Sequence, residues 1–182
     1  TQSSQFWFWW RPLEEDDKKT IIHKISISND GKAPTYQASG SVPGWTHNQF
    51  SMSERNGLFR IATTEEWRID ENKGSNIFIL KQEGRLLQKV GSIRGMSPEQ
   101  RIFAVRFIGD LAYVVTFEQI DPLHVVDLSN PHAPQQLGEL EIPGFSTYLH
   151  PFEEGLLMGI GRDEKNVMQL SMFDVTNPKV PT

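Results

Sequence analysis

"DLSNPHAP" (residues 127–134) returns as "DVTNPKVP" (residues 174–181), with the Asp, the Asn, the Pro and the final Pro in the same places. The copies stand 47 residues apart, and Pro131 with Pro178 and Pro134 with Pro181 keep that offset. One period earlier, Leu80 stands where Asp127 does. There "LLQKVGSI" aligns with "APQQLGEL", which places Gly91 under Gly138, and "QEG" replaces "SNP". A fainter echo links "YQASGSVPGW" (36–45) to "QLGELEIPGF" (136–145), 100 residues on. A period of roughly 40 to 50 residues belongs to propeller blades or to helical arrays.

The local pattern selects strands. "RIFAVRFIGDLAYVVTF" (101–117) gives two β-branched and aromatic runs about Gly109-Asp110, the spacing of a hairpin. "LHVVDL" and "QLGELEI" follow, separated by the Asn-Pro turn, so each unit holds four short strands. Helical windows are interrupted by Pro or Gly within about ten residues. About fourteen strands are expected in this way. They begin with "QFWFWW" (5–10) and include "NQFSM" (48–52) and "STYLH" (146–150), the last ended by Pro151. The fold class predicted is all-β: propeller blades of four antiparallel strands, about three and a half in number. The blade divisions are a partial blade over 1–44, blades over 45–93 and 94–142, and a partial blade over 143–182.

Composition narrows the function classes. The 182 residues are 37% hydrophobic and 10% aromatic, enough to bury a core. A formal charge of -5 leaves no clustered basic excess for phosphate neutralisation, so no nucleic-acid partner is expected. The absence of cysteine removes disulfides, thiolate zinc ligands and thiol nucleophiles. The chain opens on Thr1 with no signal-peptide pattern, which reads as a processed or excised piece. "FWFWW" (6–10) is far shorter than the roughly 20 residues of a membrane helix and is read as a buried strand, so no transmembrane span is expected.

Catalytic and metal signatures are sparse. Ser146 and His150 lie on one face of a strand but roughly 13 Å apart, so they form no local nucleophile and base pair. Triads assemble from distant segments, which leaves His150 with some other serine open, although no Gly-x-Ser-x-Gly supports it. The five histidines show no short metal-ligand spacing. "DENKGSN" (70–76) fails as a calcium loop, because Ser75 stands where glycine belongs and Lys81 where the bidentate Glu belongs. No cofactor motif is found; "GIG" (159–161) lacks the third glycine of a dinucleotide site.

Charges inside apolar strands are more informative. Arg60, Arg106 and Glu118 lie within such strands, and Arg101 and Asp121 stand at strand ends. Buried charges must pair or reach solvent. These residues, with His150, are the expected ligand surface along a central polar channel; the competing reading makes them structural ion pairs between blades.

"YQASGSVPGW", "LFRIATT", "RIFAVRFIGDLAYVVTFEQIDPLHVVDLSNP", "LGELEIPGFSTYLHP" and "LSMFDVTNP" together resemble a bacterial and archaeal family of exported proteins with a C-terminal β-propeller distantly related to WD40 repeats. The resemblance spans roughly residues 35 to 181 and is most specific over 101–151. It implies a propeller fold and an extracytoplasmic setting, secreted, periplasmic or at the cell surface; it carries no established chemistry. The repeated Trp-Asp dipeptide of true WD40 blades is absent here.

Two functions follow as expectations. The first is a non-catalytic scaffold that binds a protein or glycan partner outside the cytoplasm. The second is a hydrolase or lyase at the propeller axis, metal-assisted in one form, whose mark would be His, Asp or Glu converging from at least three blades. Propellers usually need four to eight blades to close. The chain is therefore expected to be a fragment of a longer propeller, or to self-associate through its open blade edges and complete the ring with a second copy. A well-behaved monomer of 20.8 kDa would contradict both.

Overall fold

The computed structural model describes residues 18–27, 33–65, 74–98, 100–117, 121–142, 144–163 and 165–182. The "QFWFWW" segment, most of "DENKGSN" and Glu118 lie outside the described residues. Among those described, the chain is all-β, with thirteen strands and one 3-10 turn at Gln49–Ser51. No helix among them is long and apolar enough to cross a membrane.

β1 (Lys19–Ser26) and β2 (Thr35–Pro43) form an antiparallel hairpin. β3 (Met52–Arg55), β4 (Leu58–Thr64), β5 (Ser75–Glu83) and β6 (Leu86–Met96) pair antiparallel in chain order. The hairpin joins this sheet through one parallel bridge between Ser39 and Leu86. β7 (Arg101–Ile108), β8 (Leu111–Phe117), β9 (Asp121–Asp127) and β10 (Gln135–Ile142) make the second sheet. β11 (Phe145–Glu153), β12 (Leu156–Arg162) and β13 (Met168–Asp174) make the third. Tight turns follow from the residues available: Asn56 and Gly57 both take positive φ, 53° and 74°, which lets β3 fold directly onto β4.

The sheets stack face to face. Ala62, Ile77 and Ile79 of the first sheet pack on Val105, Ala112, Val114 and Val126 of the second. The other face of the second sheet, with Tyr113, Val115, Leu123 and Val125, packs on Leu149, Leu157 and Phe173 of the third. On its far side the first sheet uses Ile61, Phe78 and Leu80 to cover Ile22, Ala38 and Val42 of the hairpin. Alternating side chains on each strand thus serve two neighbours, which is why β8 is apolar on both faces. This is the stacking of propeller blades, and the chain holds part of such a ring.

The 47-residue repeat is a repeat of hydrogen bonds. Ser129 N–H donates to the Asp127 carboxylate at 2.8 Å, and Thr176 N–H to Asp174 at 2.9 Å. His132 N–H donates to the Asn130 side chain at 3.1 Å, and Lys179 N–H to Asn177 at 3.2 Å. Each turn rests on the last strand of the preceding sheet, at the repeated glycine. A Cβ on Gly91 would collide with the Pro131 carbonyl oxygen. One on Gly138 would stand 2.6 Å from Pro178 O and 2.8 Å from Lys179 O. The echo at 100 residues is also structural, since Gly44 and Gly144 each abut a carbonyl at the end of a second strand, Thr64 and Arg162.

Two strand assignments differ from the sequence reading. "NQFSM" is the 3-10 turn leading into β3, because Asn48 accepts from Phe50 N–H at 2.9 Å while its own N–H reaches Ser51 Oγ at 3.4 Å. That reciprocal cap satisfies backbone groups that a ladder would otherwise take. Pro151 does not end its strand; β11 continues to Glu153 with a register shift after Pro151. The proline is tolerated because β11 is an edge strand, whose outward side needs no N–H donor.

The outward face of the third sheet has no covering sheet among the described residues. Met168 (77% exposed), Leu170 (67%) and Met172 (49%) line it on β13. Gly138→Ala is expected to cost about 1–3 kcal/mol, because both opposing atoms are backbone and cannot rotate away. Thermal denaturation should show Tm lowered by about 2–4 °C per kcal/mol, whereas Gly57→Ala, with open space around it, tests the separate cost of its positive φ.

Candidate functional site

β3, β7 and β11 open the antiparallel runs β3–β6, β7–β10 and β11–β13, and each lies at an edge of its sheet. β7 is in contact with both β11 and the 3-10 turn before β3, so these edges run together at the inner side of the arc. Side chains here have no neighbouring strand beyond them and gather into two adjoining groups.

In the first group, the Arg106 guanidinium lies 4.4 Å from the Phe50 ring centroid and 5.1 Å from that of Tyr148. Its Nε donates to Leu149 O at 2.8 Å, so β7 is tied to β11 through a carbonyl. Phe50 and Tyr148 meet edge to face at 5.2 Å, and Tyr148 stacks on His150 at 6.1 Å. The Tyr148 hydroxyl is 3.3 Å from His150 Nδ1. Elements from all three sheets contribute.

In the second group, the Arg101 guanidinium covers Phe103 at 4.7 Å, and His47 stacks on the same ring at 6.3 Å. Phe103 packs against Phe117 and Phe145 at 5.2 and 5.8 Å. Burial, and then the Arg101 charge, hold the His47 imidazole below its ordinary value of 6.5. Rings with guanidinium groups over their faces gain cation–π attraction and present flat apolar surface beside positive charge.

The structure thus brings together Arg101, Arg106 and His150 of the residues singled out in the sequence. It leaves Arg60 elsewhere. On β4, 6% exposed, Arg60 donates to Gly109 O and to Ser53 Oγ, both at 2.7 Å, and lies 5.0 Å over Phe107. Burial first, and Arg55 next, lower its pKa. Asp121 is placed at the start of β9 by its backbone alone, and Glu118 lies outside the described residues. Arg60 and Arg106 do cross between sheets, but they bond to carbonyls, at Gly109 and Leu149, and lie over rings. The ion pair that crosses from the first sheet to the second is Arg55 with Asp110, at 2.7 Å. Sequence reasoning missed His47, Phe50, Phe103 and Tyr148. Aromatic residues close to arginines on strands that open a blade were the available signal. Among the described residues no group of three or more His, Asp or Glu is placed to hold a metal ion.

A family model described as a β propeller domain matches residues 4–182. A protein of Archaeoglobus fulgidus, named only as uncharacterized, is 46% identical over 165 residues, covering 89% of this chain and 24% of that protein. An uncharacterized protein of Methanocaldococcus jannaschii is 48% identical over 145 residues, covering 78% and 23%. The chain spans about a quarter of the length of these relatives.

Replacing Arg60 by Met leaves Gly109 O and Ser53 Oγ without a charged donor, and should cost about 1.5–3 kcal/mol in urea denaturation. His47 gives a pH signature. Its folded pKa is below its unfolded value, so its contribution is fully present above 6.5 and is lost as pH falls through the lower, folded value. Tm should fall as pH drops below 6.5, with a shallower slope in His47→Gln.

Proposed function

The chain belongs to the β-propeller domain family, and from that premise we propose that it is a binding scaffold whose inner-edge surface captures a glycan bearing carboxylate groups. The single observation that carries this is the convergence of Phe50 and Tyr148 on Arg106, with His150 stacked on Tyr148, beside Phe103 and His47 with Arg101. Flat rings match the apolar faces of sugar residues, while guanidinium groups pair with carboxylates through directed hydrogen bonds. Strands fix the backbone positions, so the surface is largely formed before a ligand arrives. The resemblance to exported propellers supports an extracytoplasmic setting. A protein partner displaying acidic side chains would meet the same chemistry and is the competing outcome.

The hydrolase or lyase reading has less support at this surface, because its converging His, Asp and Glu are not found among the described residues. Ring closure belongs to the same proposal. The β13 face, which has no covering sheet among the described residues, and the greater length of the relatives support further sheets of the same polypeptide as the covering element.

Titration calorimetry with uronic-acid oligosaccharides and their neutral counterparts tests the binding reading. Binding of the acidic series only is expected, with affinity reduced about tenfold or more, ~1.4 kcal/mol, in Tyr148→Ala or Arg101→Ala. Equal binding of both series, or no response to either substitution, would refute it.

A further inference from the structure

The connection from β6 to β7 carries Ser97, which holds positive φ at 44°. Such a conformation costs a non-glycine residue about 1–2 kcal/mol, and the turn is closed by Gln100 N–H donating to Ser97 O at 3.1 Å. Ser97 is partly exposed, and its Oγ lies 2.7 Å from His124 Nε2. His124, on β9, is 1% exposed. The other ring nitrogen, Nδ1, makes no hydrogen bond but faces Glu139 Oε2 on β10 at 3.4 Å.

We propose that Ser97, His124 and Glu139 form a nucleophilic centre that accepts the acyl group of sterically open carboxylic esters. Serine, histidine and acid are recognised by geometry and role rather than chain order, and the acid–imidazole distance commonly tightens only when substrate binds. Thr116 Oγ1 is 3.2 Å from Nε2 but donates its one hydrogen to Gln100 Oε1 at 2.6 Å. The centre uses the tautomer in which Ser97 donates to Nε2 and the ring proton lies on Nδ1, toward Glu139. Burial lowers the His124 pKa and Glu139 opposes that shift, so the ring is held neutral and able to accept a proton. Gly95-Met96-Ser97 retains the first glycine of the nucleophile turn, and Glu99 stands where the second would be.

The step balances without a metal or redox partner. Ser97 Oγ forms a bond to the ester carbonyl carbon as its proton passes to His124 Nε2, and the π pair moves to the carbonyl oxygen. Collapse breaks the bond to the alcohol oxygen, which leaves with the proton from Nε2. Water then attacks the acyl-serine, gives its proton to Nε2, and Ser97 departs with that proton as the carboxylic acid is released. Because Ser97 lies on a partly exposed connection, esters with little branching at the carbonyl are the class that reaches it.

Glu139 is a positioning residue, and it is the one charged group among the described residues that acts on the ring. The test treats the intact chain with an alkyl fluorophosphonate and maps the adduct by peptide mass spectrometry; the P–F bond breaks, fluoride leaves and the Oγ–P bond forms. An adduct on Ser97 is expected, absent in Ser97→Ala and formed about a hundredfold more slowly in His124→Gln. In Glu139→Gln the pH midpoint of labelling should move down, since the carboxylate that raises the His124 pKa is gone. A wild-type chain that leaves Ser97 unmodified overturns the proposal, and so does labelling at an unchanged rate in a folded His124→Gln chain. A pH midpoint unaltered in Glu139→Gln removes Glu139 from the centre. The wild-type result decides even where His124→Gln does not fold.

Discussion

Successive sheets in this protein are locked by backbone contact at two glycines. The carbonyl oxygens that follow Asn130 and Asn177 occupy the space where a Cβ would stand on Gly91 and Gly138. Hydrophobic faces alone would let one sheet slide over another, since burial is non-directional. A turn seated on a bare backbone position fixes the offset. With that offset set, the arginine bridges and the inner rings fall into place.

The Asn-Pro turns made the fold readable. Their side-chain caps and the glycine beneath them need particular residue types, so the pattern persists where the apolar strands between are free to vary. The local shape of residues 48–52 was harder to read, because Asn48 and Ser51 satisfy the backbone through a reciprocal cap that alternation of apolar residues does not reveal. The Asn56-Gly57 turn beside it does mark the hairpin of β3 and β4. Pro151 misled for a related reason, since whether a strand lies at an edge is decided by the sheet around it.

The site was legible in part. Arg101, Arg106 and His150 stand out as charged or titratable residues among apolar ones, but the rings that hold Arg106, Phe50 and Tyr148, come from segments about 40 to 60 residues away in the chain. Arg106 meets Phe50 only because β7 lies against the turn that precedes β3. Sequence spacing carries no record of that meeting. The pairing of Ser97 with His124 has the same origin, with one residue on a connection and the other two strands away in the next sheet.

The hairpin of β1 and β2 is attached in a different manner from every other neighbouring pair of strands described. Its backbone meets β6 at the single Ser39–Leu86 bridge, and the Thr63 hydroxyl donating to Pro43 O, the Lys24–Glu54 ion pair and side chains such as Ile22 and Val42 add to the attachment, with the Trp45–Thr64 bridge anchoring its end. Swinging it away about the Trp45–Thr64 bridge breaks, among the described residues, one strand bridge and a few side-chain contacts, and exposes chiefly oily surface. Such a flap opens as one piece, before the stacked sheets loosen, and its amides should exchange with solvent at a free energy below that of global unfolding.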